Sequence, residues 1–355
     1  MKKVQLWSLI IIMIFATGCV EKEILDDVNL ETAAGYDYID KKVRGSALVP
    51  VFLPDKTVHN TVFTASSNLS RDFLRDIQRQ SSDPIVTGSL EVVLFGEKMA
   101  KKGIVDIIDA FQRDASIGTD IYLAVTEGPS KKILEGNYSK RGNAIFISNL
   151  IRQNIETKDV PKTNLHLFLS SYYQKGKTAY LPTIRSIGKN KIEISGISLF
   201  KGDRVVDTLP AKQMFFFKLL VDNYSKGTFK VDMKTEKAAV ESIRSKFKMR
   251  LVSRKPLTVG INIKIRAILI EYSGAKVTTK EIKEIEKSLN ETIERECTKL
   301  IKRFQEKGID PVGLGHFVKS RTRKFDFKTW EQTGYSNLKV NVKSDVMITE
   351  SGVIE

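Results

Sequence analysis

The sequence predicts a mixed α/β, or α+β, protein organised in three parts. Three observations predict it. From residue 88 to about 156, buried-strand compositions alternate with helical patterns, as in an α/β domain. Residues 191–209 read as a hairpin followed by a helix. Residues 257–270 read as one long half-buried strand, and 279–307 as one long amphipathic helix. The expected division is 1–18 as a leader, 19–186 as an N-terminal α/β domain, 187–225 as a small middle unit or connector, and 226–355 as a C-terminal domain. Part of 40–60 is a candidate addition to the middle unit.

Each element follows from local pattern. VEKEILDDVNL, 20–30, reads as a short helical or irregular lead-in. AAGYDYI, 33–39, is strand-like. ALVPVFL carries Pro50, with Pro54 just beyond, and proline cannot donate to a ladder, so this stretch is expected at a sheet edge. Residues 69–80 read as a helix capped by Asn68 or Ser70. GSLEVVLFG, 88–96, is a buried strand running into EKMAKKGIVDIIDAFQRD, which Gly103 divides into two helices. DIYLAVTEG is a strand, NAIFISNLIRQNIE a helix, and TNLHLFLSSYY, 163–173, alternates as a strand does. The hairpin at 191–209 turns near Lys201, Gly202 and Asp203, and Pro210 opens the next helix. In the last third, Val259, Ile261, Ile263 and Ile265 point one way, and Asn262, Lys264 and Arg266 the other. Thr278 or Thr279 caps the long helix, Glu281 lies in its first turn, and Gly308 ends it. At 1.5 Å per residue this helix is about 40 Å long. LKVNVKSDVMIT, 338–349, is the final strand.

The first residues set the compartment. Lys2 and Lys3 precede a mostly apolar run, Val4 to Ala16, and Thr17 and Gly18 lead into Cys19. This is the three-part layout of an export signal, with Cys placed as in a bacterial lipoprotein. The run is shorter than the ~20 residues that a stable bilayer span requires. Cys19 is therefore expected to carry a diacylglyceryl group and to start the mature chain, and acyl chains hold a protein on a membrane stably. A plain signal peptide or an uncleaved anchor is the alternative.

Composition narrows the function further. The chain has 355 residues, 41% of them hydrophobic, and a net charge of +16; mean hydropathy is slightly negative. Without the first 18 residues, 56 Lys and Arg face 42 Asp and Glu. An exported chain this basic points to an anionic lipid surface rather than to nucleic acid, and a solvated basic surface with no specific partner fits equally well. Cys297 is the other cysteine, and it lies on the apolar face of the 279–307 helix with Ile285, Leu289, Ile293, Leu300 and Phe304. It is expected to be a small buried hydrophobe.

No catalytic signature is found. GxxxxGK[ST], HExxH, CxxC and GxSxG are absent from the sequence, and His59, His166 and His316 stand far apart. No metal site and no cofactor is expected. Asp310, Pro311, Gly313 and Gly315 follow the long helix directly. A binding loop and a tight turn both fit them, and the turn explains the glycines at less cost. Trp330 reads as a packing residue.

The quoted segments combine in order. Behind Cys19 come KEI, then GSLEVVLFGEKMAKKGIVDIIDAFQRD, AYLPTI, ISGISLFKGDRVVDTL and GIDPVGLG, with Trp330 beyond. This arrangement resembles the Ger(x)C lipoproteins, the C subunits of nutrient germinant receptors of endospore-forming bacteria, over nearly all of the mature chain. The resemblance implies three mixed α/β domains, each a β-sheet packed with helices, and a non-enzymatic role in nutrient-triggered germination. It implies lipid attachment at Cys19 on the outer face of the spore inner membrane. It implies membrane-embedded A and B subunits as partners, with the nutrient contacted only indirectly if at all. A free-standing solute-binding lipoprotein is the alternative, and a cell-wall hydrolase a more distant one.

Overall fold

The computed structural model describes residues 27–67, 73–188, 190–223, 226–233, 236–274 and 276–351. Cys19, the expected lead-in up to residue 26 and the caps expected at Asn68 or Ser70 lie outside them. Two main sheets carry the fold. The larger has eight strands: β2 (Ala33–Ile39), β3 (Lys42–Phe52), β4 (Val58–Ser67), β6 (Val92–Gly96), β7 (Tyr122–Thr126), β8 (Tyr180–Ser186), β9 (Ile192–Lys201) and β10 (Arg204–Pro210). Their order is β10-β9-β8-β7-β6-β2-β3-β4. A short parallel pair, β1 (Asn29–Leu30) and β5 (Ile85–Val86), stands apart.

The centre of the large sheet, β2-β6-β7-β8, is parallel, and the flanks are antiparallel. A parallel centre needs cover on both faces, and β6 is buried along its whole length. On one face lie α1 (Phe73–Gln78), α2 (Glu97–Lys102), α3 (Val105–Arg113) and α6 (Leu165–Tyr173), packed through Phe73, Ile77, Ile108 and Phe168. The other face takes α4 (Ser130–Leu134) and α5 (Asn143–Thr157) through Leu134, Ile147 and Ile151.

The smaller sheet is β11 (Gly227–Asp232), β12 (Lys237–Arg254), β13 (Leu257–Tyr272) and β14 (Lys339–Ser351), in that order. The long helix α8 (Thr279–Lys307) crosses its inner face. Val259, Ile261 and Ile263 meet Ile285, Leu289 and Phe304 in one core, as the alternation of β13 requires. Thr278 and Glu281 form a capping box, and Gly308 ends the helix in the left-handed region at φ 63°. Mixed sheets packed with helices are the fold class expected from the sequence.

Residues 187–225 join the two halves. The hairpin β9–β10 completes the large sheet, while α7 (Ala211–Val221) packs into the core of the small one through Phe216, Phe217 and Leu220. Residues 40–60 do not join them, because β3 and β4 lie at the opposite end of the sheet. Two further expectations are corrected. Residues 165–173 are helix, not strand: Asn164 caps it by accepting from Leu167 N at 2.8 Å, and Leu165, Phe168, Leu169 and Tyr172 share the core side. The strand holding Pro50 is not at the edge, since β3 lies between β2 and β4. Pro50 is tolerated because β2 begins at Ala33, opposite Leu48, so its nitrogen faces a side that β2 does not reach.

Cys297 is fully buried, and its Sγ lies 3.6 Å from the carbonyl of Phe216 on α7. Burial pushes its thiol far up from the usual range, so the reactive thiolate is scarce. We expect no labelling of Cys297 by a thiol reagent while the chain is folded, and full labelling in denaturant. Rapid labelling of Cys297 in the native chain would contradict the packing described.

Candidate functional site

The seam between the two halves gathers the residues singled out after the long helix. Gly308 turns the chain, and Asp310 follows at 5% exposure. Its carboxylate accepts from three consecutive backbone N–H groups: Gly313 at 2.8 Å and Leu314 at 3.0 Å on Oδ1, and Gly315 at 2.7 Å on Oδ2. These are first-turn donors of α9 (Leu314–Arg321) that have no partner within the helix. Gly313 reaches this arrangement at φ 81°. Burial raises the Asp310 carboxyl to about 6, against the pull of those three donors and of Lys177. It is therefore ionised at pH 7, which suits a helix N-terminus.

The N-terminal half grips this turn from outside. The Asp310 carbonyl accepts from Thr178 N at 2.9 Å, and His316 N donates to the Gly176 carbonyl at 3.0 Å. Gly176 and Gly315 lie against each other. A Cβ on Gly315 would stand 2.6 Å from Trp330 Nε1 and 2.9 Å from Gly176 Cα. Trp330 is buried beside Tyr335, ring centres 5.7 Å apart, and the Tyr335 hydroxyl donates to the Ile309 carbonyl at 2.8 Å. The structure thus brings Asp310, Gly313, Gly315 and Trp330 together, with Pro311 in the same buried turn. The arrangement positions backbone: the Asp310 carboxylate satisfies the N–H groups of the turn, while the buried Thr178 Oγ1 beside it has no partner among the described residues.

Two further ties cross the seam, and no motif pointed to them. Arg303 on α8 holds Asp207 on β10 through a fork, Nε to Oδ2 and Nη2 to Oδ1, both 2.7 Å. Lys218 on α7 donates from Nζ to the carbonyls of Ile155 at 2.8 Å and Lys158 at 2.6 Å, at the C-terminal end of α5. A cation suits that end of a helix. Nearby, Asp222 accepts from Lys162 N at 2.9 Å. In sequence, Arg303 and Lys218 are ordinary charges on amphipathic helices, so only the tertiary contact distinguishes them.

A cleft of about 550 Å³ opens along the seam, lined by Tyr172, Lys175, Lys177, Lys201, Trp330 and Glu331 among others. Burial lowers the Lys177 ammonium, with Asp310 and Asp222 opposing. Among the described residues, no group of three or more His, Cys, Asp or Glu could hold a metal ion. No described helix is long and apolar enough to cross a membrane.

Comparison with known proteins decides the family. A model described as "spore germination protein N-terminal domain" matches residues 21–186, and one described as "spore germination B3/GerAC like, C-terminal" matches 195–352. The chain belongs to the Ger(x)C family of spore germination proteins. Within that family, spore germination protein GerQC of Bacillus cereus is 35% identical, covering 98% of this chain and 99% of that protein. The putative spore germination protein YfkR of Bacillus subtilis (strain 168) is 23% identical over 97% of this chain and 96% of its own length. The crystal structure of the GerBC protein matches with a TM-score of 0.60 at 18% identity, covering 93% of this chain and 99% of that one. The Ger(x)C fold is therefore shared along nearly the whole length.

Proposed function

We propose that this chain is the lipid-anchored, non-catalytic C subunit of a nutrient germinant receptor. It is held through Cys19 on the outer face of the spore inner membrane and works there with membrane-embedded A and B subunits. The match to GerQC along both whole chains carries this reading. The lipoprotein-like start supports the anchor, and the seam, where the Asp310 carboxylate is used to hold three backbone N–H groups, supports a structural role. The seam fixes how the two halves face their neighbours.

Replacing Cys19 with Ala in spores tests the proposal. The expected result is a chain that leaves the membrane fraction, fails to co-purify with a polytopic membrane protein, and gives slowed nutrient-triggered germination. An unaltered germination rate with the chain still in the membrane would overturn the anchor. The cleft favours a second reading, a free-standing solute-binding lipoprotein. A thermal shift of the chain alone with one member of a nutrient panel would support that reading.

A further inference from the structure

The outer face of the small sheet is built against itself electrostatically. On β12, Ser245, Phe247 and Met249 turn inward, while Arg244, Lys246, Lys248 and Arg250 are exposed. The register then sets like charges opposite one another. Arg244 faces Arg266, and Lys246 faces Lys264. Lys248 lies beside Asn262, which in turn lies beside Lys343 on β14. Directly opposed like charges destabilise a sheet pair. Over the paired segments 244–250, 258–266 and 339–347, Asp345 is the one carboxylate. It stands 3.6 Å from Lys264, with both side chains largely exposed, and such a pair contributes little.

We infer that this face docks on an anionic phospholipid surface, an inference that rests on the membrane-anchored reading above. The charges are spread over three strands, roughly 10 Å across and 20 Å along, and not along one line. That distribution suits a plane of phosphates better than a single acidic segment. Met347, in register with Arg266, and Val252, against Gly260, add exposed apolar side chains at 54% and 49%. Apolar area with basic charge is the combination that holds a protein at a lipid interface. The repulsion built into the bare face is relieved when phosphates lie over it.

The test uses the full chain carrying Cys19→Ala, so that no acyl group masks the response to lipid charge. It is compared with the same chain carrying in addition K246Q, K248Q, K264Q and K343Q. Both are sedimented with vesicles of phosphatidylcholine alone or mixed with phosphatidylglycerol. The expected result is preference for the anionic vesicles, weakened by salt and reduced about a thousand-fold by the four substitutions. The quadruple variant should melt no lower than its parent, which separates lost binding from lost folding. Equal binding to both vesicle types, or an unaltered preference in the variant, overturns the inference. Capture by polyglutamate without any vesicle preference overturns it in favour of an acidic protein partner. The anchor is read separately, from the mass of the unsubstituted chain taken from membranes. A lipid-bearing chain indifferent to lipid charge overturns this inference alone, and an unlipidated chain that still prefers anionic vesicles overturns only the anchor.

Discussion

Glu31→Gln is expected to stabilise the protein near pH 8 and to flatten its stability profile below that. Glu31 is 1% exposed, and its Oε1 has no hydrogen-bond partner among the described residues. Burial raises the carboxyl from 4.5 to about 8. A buried carboxylate with an orphaned oxygen is costly, so the folded chain keeps the proton. The sign follows from where the proton binds more tightly. Between pH 4.5 and 8 the folded state holds it and the unfolded state releases it. The contribution to stability is therefore complete below about 4.5 and is lost as pH rises toward 8. At 1.36 kcal/mol per unit this is on the order of 5 kcal/mol. Gln reproduces the neutral shape without titrating. Urea denaturation of both chains across this range should give curves that diverge as pH rises. Parallel curves would show that Glu31 is solvated or paired.

Asp310→Ala has the second large expected effect. It removes the acceptor of three N–H groups in a buried turn. Gly313 N keeps the Asp310 backbone carbonyl at 3.2 Å, so two donors are orphaned; at roughly 1–3 kcal/mol each, a loss of about 2–6 kcal/mol is expected. Asp310→Asn keeps one carbonyl acceptor and should lose less. The amides of Gly313, Leu314 and Gly315 should exchange with solvent much faster in the Ala variant. Because Thr178 and His316 bond across the same turn, protection should also fall at those two amides. A loss below about 1 kcal/mol with unaltered exchange would mean that water or another group replaces the carboxylate.

The legible parts of the chain were those where local pattern and tertiary role agree. The long helix was readable to its ends because Thr278, Glu281 and Gly308 mark them chemically. The β13 strand was readable because Val259 through Ile265 alternate without a break. Its partner β12 was not. A register shift between Ser242 and Arg244 breaks the phase of its alternation, and its outward face is too charged to resemble a strand. Residues 165–173 misled because LHLFL alternates over a few positions while its longer repeat, through Tyr172, is helical. At the seam, the sequence offered Asp310, Gly313 and Gly315 as a turn; Asp310 and Gly313 lie in the turn, and Gly315 is in the first turn of the helix that follows. Their grip on Gly176 joins segments far apart in the chain, so no local spacing could announce it. Glu31 was invisible for the same reason, since burial is a property of the assembled sheet.

The central claim is that the chain works as a lipid-anchored receptor subunit, and its first mature residue tests that most directly. The chain should be purified from spore membranes and its N-terminal peptide measured by mass spectrometry. The account predicts a peptide that begins at Cys19 and carries a diacylglyceryl group. A chain that begins upstream of residue 19, or an unmodified Cys19, would contradict it.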